Sequence, residues 1–328
     1  MIKMGVKSRR CADEREGAKA RRREERQAEI QPAFPFLLRA FVPSRLRAGI
    51  LPLALLLVAA CDKPAAPMTN STSPTVASMV PAATDLIVGM GAKDRLVAVS
   101  SVVDKDRADV GNLPKAGDYE TIDWEVLRSV HPSVLITEIS PDRQSAGFKS
   151  NALEQKITPL NVKIETLDDI FGALDALGEA LKEPALAANA ADQMHARLDA
   201  VQHRVAGQKP VSTLIVIDSS GDAVVGPGTF LDDLLKIAGG TNAAISLQQH
   251  WPQIDREMLL SLKPDAIIEL LPDASPQERE KAAATWQQLP QIPAVANGRV
   301  YPIYDGYALL PGWHVADLAE QFARCLHP

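Results

Sequence analysis

Two aromatic residues and two acids stand in matched frames along this chain. Tyr119 precedes Glu125 by six positions, and Trp251 precedes Glu257 by six, the pairs lying 132 residues apart. A phenol or indole offers a flat apolar face on which a ring system can stack. A carboxylate offers charge to a basic partner, or simply to the positive end of a helix. The frames are copies of one another. At the same offset Ile122/Ile254, Asp123/Asp255, Glu125/Glu257, Leu127/Leu259, Ser129/Ser261, Pro132/Pro264 and Ile136/Ile268 are identical, seven matches in fifteen ungapped positions.

Each copy has the grammar of a short helix feeding a strand. Asp123 and Asp255 suit an N-cap, where a carboxylate accepts orphan backbone N–H groups. The Ile before each cap and the Leu four residues after it fit a hydrophobic staple. Each Glu falls in the first turn, and each Pro closes the helix before an apolar, strand-like run. Strand patterns also occur at residues 77–80, 95–99, 134–137, 162–165, 211–217, 266–270 and 300–303. Helical patterns occur near residues 84–90, 143–155, 229–238, 276–287 and 312–326. Alternation of this kind predicts two Rossmann-like α/β lobes with mostly parallel central sheets.

Between them runs the longest helical pattern, from Pro184 to a stop at Gly207. Leu186, Ala190, Met194, Leu198, Val201 and Val205 recur at threes and fours, giving one apolar stripe. A continuous helix resists bending, so this strut predicts a rigid link and small opening motions. The resulting division is a signal region over residues 1–60, a tether over 61–75, a first lobe over 76–183, the helix over 184–207 and a second lobe over 208–328.

Charge divides the chain differently. Residues 1–60 hold thirteen Lys/Arg and six Asp/Glu, a net of +7, while the remainder carries 22 basic and 35 acidic side chains, a net of −13. So acidic a body is repelled by phosphate backbones and argues against nucleic acid as a partner. The uncharged run Ala48–Ala60 follows Arg45 and Arg47 and spans about 20 Å as a helix, short of a bilayer core of about 30 Å. That is the layout of an export signal, and residues 1–41 read as the product of a start site placed too early. Val58-Ala-Ala-Cys61 resembles the lipobox of bacterial lipoproteins, which implies cleavage before Cys61 and a lipid anchor on its sulfur. The Pro/Ser/Thr-rich stretch to about Thr75 reads as a flexible spacer. Removal of Cys11 and acylation of Cys61 would leave Cys325 unpaired.

Larger segments carry a wider likeness. Ser78-Met-Val-Pro-Ala-Ala-Thr-Asp-Leu with Gly91 and Arg95-Leu-Val-Ala-Val-Ser-Ser, then Gly226-Pro-Gly-Thr-Phe-Leu-Asp-Asp-Leu-Leu-Lys-Ile-Ala-Gly-Gly-Thr-Asn, then Trp251-Pro-Gln-Ile-Asp-Arg-Glu, together resemble the substrate-binding proteins of ABC importers. The likeness covers roughly residues 76–326. It is to the helical-backbone group (class III periplasmic binding proteins) that captures vitamin B12, ferric siderophores and haem, with the corrinoid binders nearest. The resemblance implies a periplasmic, lipid-anchored monomer with no cofactor of its own. It would hold a corrinoid or a ferric chelate between its lobes and hand it to a membrane permease dimer driven by an ATPase. Glu125 and Glu257 match the acids that meet permease arginines, and Tyr119 and Trp251 match the positions flanking the ring. The loop Ser101-Val-Val-Asp104 matches a further contact segment. Val102 stands there where an aromatic is common, with Asp104 beside it.

Aromatics make up only 5% of the chain, yet Tyr301 in the last strand pattern is followed by Tyr304, Tyr307 and Trp313 beyond it, four within thirteen positions. Either they wall the cleft or they pack the C-terminal helix; Tyr304, Tyr307 and Trp313 are the candidates for ligand contact. Tyr307 or neighbouring His314 would suit an axial haem bond. A zinc or manganese carrier would need convergent His and carboxylates, but the six His are scattered. An enzyme is disfavoured: Gly226-Pro-Gly-Thr lacks the Lys of a phosphate loop, and no Gly-x-Ser-x-Gly occurs.

Overall fold

The structure, a computed structural model, describes residues 73–103, 107–118 and 120–328. In chain order the principal elements are β1 (Val76–Ser78), α1 (Pro81–Gly89), β2 (Leu96–Val99), α2 (Trp124–Val130), β3 (Val134–Thr137), α3 (Ala146–Glu154), β4 (Thr158–Asn161), α4 (Leu167–Leu181) and α5 (Pro184–Val205). There follow β5 (Val211–Val216), α6 (Phe230–Ile237), β6 (Gly240–Asn242), α7 (Arg256–Leu262), β7 (Ala266–Leu270), α8 (Pro276–Gln287), α9 (Pro293–Ala296), β8 (Val300–Ile303) and α10 (Val315–Leu326).

The strands form two four-stranded sheets, ordered β2-β1-β3-β4 and β6-β5-β7-β8. Every pairing is parallel. The second order is the first with four added to each number, so the internal repeat extends to whole lobes. In each sheet the chain reverses its winding at the centre, between β1 and β3 and between β5 and β7. Open α/β sheets present ligand crevices at such switch points, beyond the carboxyl ends of the strands.

The repeated segment folds as its caps dictate. The Asp123 carboxylate accepts from the backbone N–H of Glu125 and Val126, both at 3.0 Å, and Asp255 accepts from Met258 N–H at 2.7 Å. The staple leucines Leu127 and Leu259 are buried. Each helix ends on a left-handed residue, His131 with φ 48° and Lys263 with φ 45°, before its Pro. One strand departs from the sequence pattern. The segment before the alternating pattern at 162–165, rather than that pattern itself, forms β4 (Thr158–Asn161). Pro159 is tolerated there because β4 is an edge strand.

Strand alternation sorts the core into three clusters. Ala77, Leu135 and Phe148 pack on the outer face of the first sheet. Leu214, Ile267 and Trp286 do so on the second. The inner faces share one continuous cluster, from Val76, Leu86 and Ile136 through Leu174, Met194 and Leu198 to Phe230, Ile268 and Phe322. The strut α5 is 22 residues long, about 33 Å at 1.5 Å per residue. It packs on α4 and on α10, and α6 also touches α4. Hydrogen bonds cross as well: Phe230 N–H donates to the Glu165 carbonyl at 2.8 Å, and the Asp233 carboxylate accepts from Leu167 N–H at 3.3 Å. The lobes are thus joined through a shared interior.

One buried acid gives a direct test of core electrostatics. Glu269 in β7 is 2% exposed and accepts from Trp286 Nε1 at 2.9 Å. Burial raises its pKa above the carboxylate norm, against the lowering effect of the indole hydrogen bond. A raised folded pKa means that stability is greatest below the unfolded pKa and declines as pH rises through the folded one. Glu269→Gln keeps an acceptor for the indole and removes the charge. It should therefore melt above the parent at pH 7, with the gap closing toward pH 4; a lower melting temperature at both pH values would contradict the assignment.

Candidate functional site

A cavity of about 540 Å³ opens between the lobes. Its first wall comes from Asp85 of α1 and from Arg107, Ala108 and Asp109 on the connection after β2. Its second wall comes from Asp273 after β7 and from Gly306, Tyr307, Leu310 and His314 after β8. Every contributor follows the carboxyl end of a strand, β1 or β2 in the first lobe and β7 or β8 in the second, the end at which open α/β sheets present ligands. The volume falls within the range of about 300–1,000 Å³ typical of small-molecule sites.

The floor is an interlock. Asp85 is buried in α1, yet its carboxylate reaches the other lobe, accepting the N–H of Trp313 at 2.7 Å. Arg107 Nη1 lies 3.3 Å from the other oxygen. Burial pushes the Asp85 carboxyl above its ordinary range, partly offset by the Trp313 N–H and the nearby cations. A Cβ on Gly312 would strike Asp85, and one on Gly89 would strike the Trp313 ring. Two glycines, one per lobe, therefore let the turn and the helix mesh.

Arg107 also grips Asp109 with two donors, Nε at 3.1 Å and Nη2 at 2.6 Å. Hydrogen bonding from that guanidinium holds the Asp109 carboxyl below its usual pKa. On the facing wall Tyr307 and His314 stack with ring centroids 4.7 Å apart. Gln321 donates to the Tyr307 hydroxyl at 2.7 Å, and His314 Nδ1 lies 2.8 Å from Asp317. Arg197 of the strut pairs with Asp317 and Glu320. Burial raises the Tyr307 phenol, and the negative charges of Asp305 and Asp317 raise it further. The stacked pair is thereby fixed to α10 and braced against α5.

Of the residues singled out from the sequence, Tyr307 and His314 line this cavity. Trp313 packs on Gly89, and Tyr304 lies beneath the Arg279 guanidinium, 3.9 Å from ring centroid to Cζ. Val102 is 56% exposed on the loop after β2, and Trp251 is 47% exposed on the segment leading into α7. None of these four is among the cavity-lining residues. Tyr119, Asp104 and Cys61 lie outside the described residues. Glu125 and Glu257 are exposed on the first turns of α2 and α7. Sequence reasoning missed Asp85, Arg107, Asp109, Asp273 and Leu310 as wall residues. The available signal was position: each follows the end of a predicted or observed strand.

Among the described residues no group of three or more His, Cys, Asp and Glu could hold a metal ion. His195 of the strut stacks on Phe171, centroids 3.8 Å apart. No described helix is long and apolar enough to cross a membrane.

The model of the periplasmic binding protein family matches residues 76–305, most of the chain. The chain belongs to the periplasmic binding protein family. Similar curated members include the vitamin B12-binding protein of Yersinia pestis (strain Pestoides F). It is 24% identical over 259 residues, covering 76% of this chain and 86% of that one. The vitamin B12-binding protein of Vibrio cholerae serotype O1 is 23% identical over the same length, covering 76% and 88%. Solved periplasmic binding proteins share the fold. The vitamin B12-binding protein BtuF of Vibrio cholerae superposes with a TM-score of 0.62 at 21% identity, covering 77% of this chain and 96% of its own. The haem-binding protein HutB of Vibrio cholerae superposes at 0.67 and 21%, covering 78% and 100%.

Proposed function

We propose that this periplasmic binding protein is the lipid-anchored carrier of an ABC importer, and that it captures a corrinoid between its lobes and passes it to the permease unchanged. The observation that carries the reading is the cavity shared by the two lobes at the carboxyl ends of their sheets. Similarity to two vitamin B12-binding proteins over 259 residues supports the corrinoid. Trp251 presents an exposed indole, which would add stacking and area burial against a flat macrocycle. Cys61 would carry the anchor, and residues 62–75 would give the body reach from the membrane. Glu125 and Glu257, on equivalent helices, would meet two basic sites on a two-fold permease.

A ferric chelate is the second reading, and one observation favours haem within it. Tyr307 and His314 stand side by side on the cavity wall, a phenol and an imidazole of the kind that ligate haem iron.

Titration of the mature protein with cyanocobalamin, haemin and ferric siderophores, followed by tryptophan fluorescence and calorimetry, tests these readings together. The expected result is saturable one-to-one binding of cyanocobalamin, weakened about tenfold by Trp251→Ala as one stacking contact is lost. The released ligand should have an unaltered mass. Tight binding of haemin with none of cyanocobalamin would transfer the assignment to haem, and binding of no chelate would end it.

A further inference from the structure

The charges in the cleft are arranged against one class of cargo. Its described walls hold three carboxylates, Asp85, Asp109 and Asp273, and one guanidinium, Arg107. Arg107 is already spent. Its Nε and Nη2 donate to Asp109 at 3.1 and 2.6 Å, and its Nη1 faces Asp85 at 3.3 Å. An incoming carboxylate would have to evict Asp109 to reach the guanidinium, leaving that acid unpaired in the same cavity.

Among the described residues lining the second wall the one basic side chain is His314, and the nearby Arg279 guanidinium is held over the Tyr304 ring with its Nε on the Ala274 carbonyl. His314 is occupied by Asp317 and stacked on Tyr307. Asp273 has no ion-pair or hydrogen-bond partner for its carboxylate among the described residues. Its backbone is held by design of the loop: φ is 55°, the Asp273 N–H donates to the Tyr304 carbonyl at 3.1 Å, and a Cβ on Gly306 would lie 3.0 Å from Asp273 Oδ2. The absence of a side chain at Gly306 thus leaves that carboxylate uncovered on the cavity wall. A left-handed backbone is an uncommon setting for a non-glycine residue.

We infer that the cleft selects by the charge of the ligand's rim, admitting macrocycles edged with amides or cationic groups and repelling those edged with carboxylates, with Asp273 as the discriminating residue. This rests on the carrier reading above and goes beyond it in naming what the site refuses. Like charge set against like is an established way for a site to suppress a wrong partner of the right shape. A corrinoid has an amide-rich rim, whereas haem carries two propionates, so the two flat rings differ in the property to which this wall responds.

The test compares the parent with Asp273→Asn, which preserves size and tolerates the left-handed backbone; unchanged melting confirms the fold. Both are titrated with cyanocobalamin, cationic diaquocobinamide and haemin at low and high salt. In the parent, haemin should bind more weakly than either corrinoid and should gain affinity as salt screens the repulsion. Asp273→Asn should shift the haemin-to-cyanocobalamin affinity ratio about tenfold toward haemin and weaken diaquocobinamide relative to cyanocobalamin. If cyanocobalamin binds but that ratio moves less than twofold, charge selection is wrong while the carrier reading stands. Haemin binding that is tighter than corrinoid binding and is weakened by salt would overturn the inference, and binding of none of the three would overturn both.

Discussion

A variant carrying Glu125→Lys and Glu257→Lys together should hold its cargo with parental affinity and deliver none of it. Both glutamates are exposed and lie in the first turns of helices that share one capping scheme. Neither is in an ion pair among the described residues, and neither lines the cavity between the lobes. Reversal forfeits their favourable interaction with the helix N-termini, about 0.3–1 kcal/mol each at an exposed site. That is small against a typical domain stability of about 5–15 kcal/mol. The fold and the cleft should therefore survive, while the proposed contact with two basic permease sites would turn from attraction to repulsion. Uptake by reconstituted vesicles, measured beside calorimetric affinity, separates the two effects. Transport at the parental rate would remove the docking role from both residues.

Phe322→Ala should cost about 3–5 kcal/mol, the range for emptying a large aromatic from a core, and should do so without splitting the unfolding transition. Phe322 is fully buried in α10, within the cluster that runs from β1 of the first lobe to the end of the chain. The same cluster holds Leu86 of α1 and Leu198 of the strut, and α10 packs directly on the strut and on α6. A cavity made there weakens both lobes at once. Urea unfolding followed by near-ultraviolet dichroism and by tryptophan emission should shift as one curve. The probes are well placed, with Trp124 packed edge-on to Phe148 in the first lobe and Trp286 buried in the second. Two separated transitions would show that the lobes stabilise themselves independently.

The duplicated helix–strand unit was legible because its signals are local. An Asp cap, a flanking Ile, a buried Leu and a terminating Pro each act within one or two turns. The strut was legible for the same reason: Ala190, Met194, Leu198, Val201 and Val205 repeat at helical spacing, and all are buried. Edge strands were harder. Thr-Pro-Leu-Asn of β4 and Gly-Thr-Asn of β6 lack the apolar runs of β3 and β7, since an edge buries less and needs fewer ladder donors. Helix α4 falls outside the pattern assignments although Ile170, Ala173, Leu174, Leu177 and Leu181 line one face behind a Thr166/Asp169 capping box.

The cleft was less legible than the frame. Tyr304, Tyr307 and Trp313 are close in sequence and alike in chemistry, but they diverge in space to an arginine, a cavity and a glycine-floored interlock. Which way a loop side chain points is decided by contacts from the other lobe, and a local pattern carries no record of those. Asp85 is the extreme case. It reads as an ordinary helix acid, yet its partner is a backbone N–H 228 positions away.

The shared interior also bears on how such a carrier can be re-engineered. Because α1, α4, α5, α6 and α10 contribute to a single packed cluster, a chimera that takes one half from a relative inherits mismatched surfaces along the whole seam. The Gly89–Trp313 and Gly312–Asp85 contacts add a steric register that both parents must satisfy. New cargo specificity is therefore more accessible through exchange of the loops after β2, β7 and β8, which alter the mouth and leave the chassis intact.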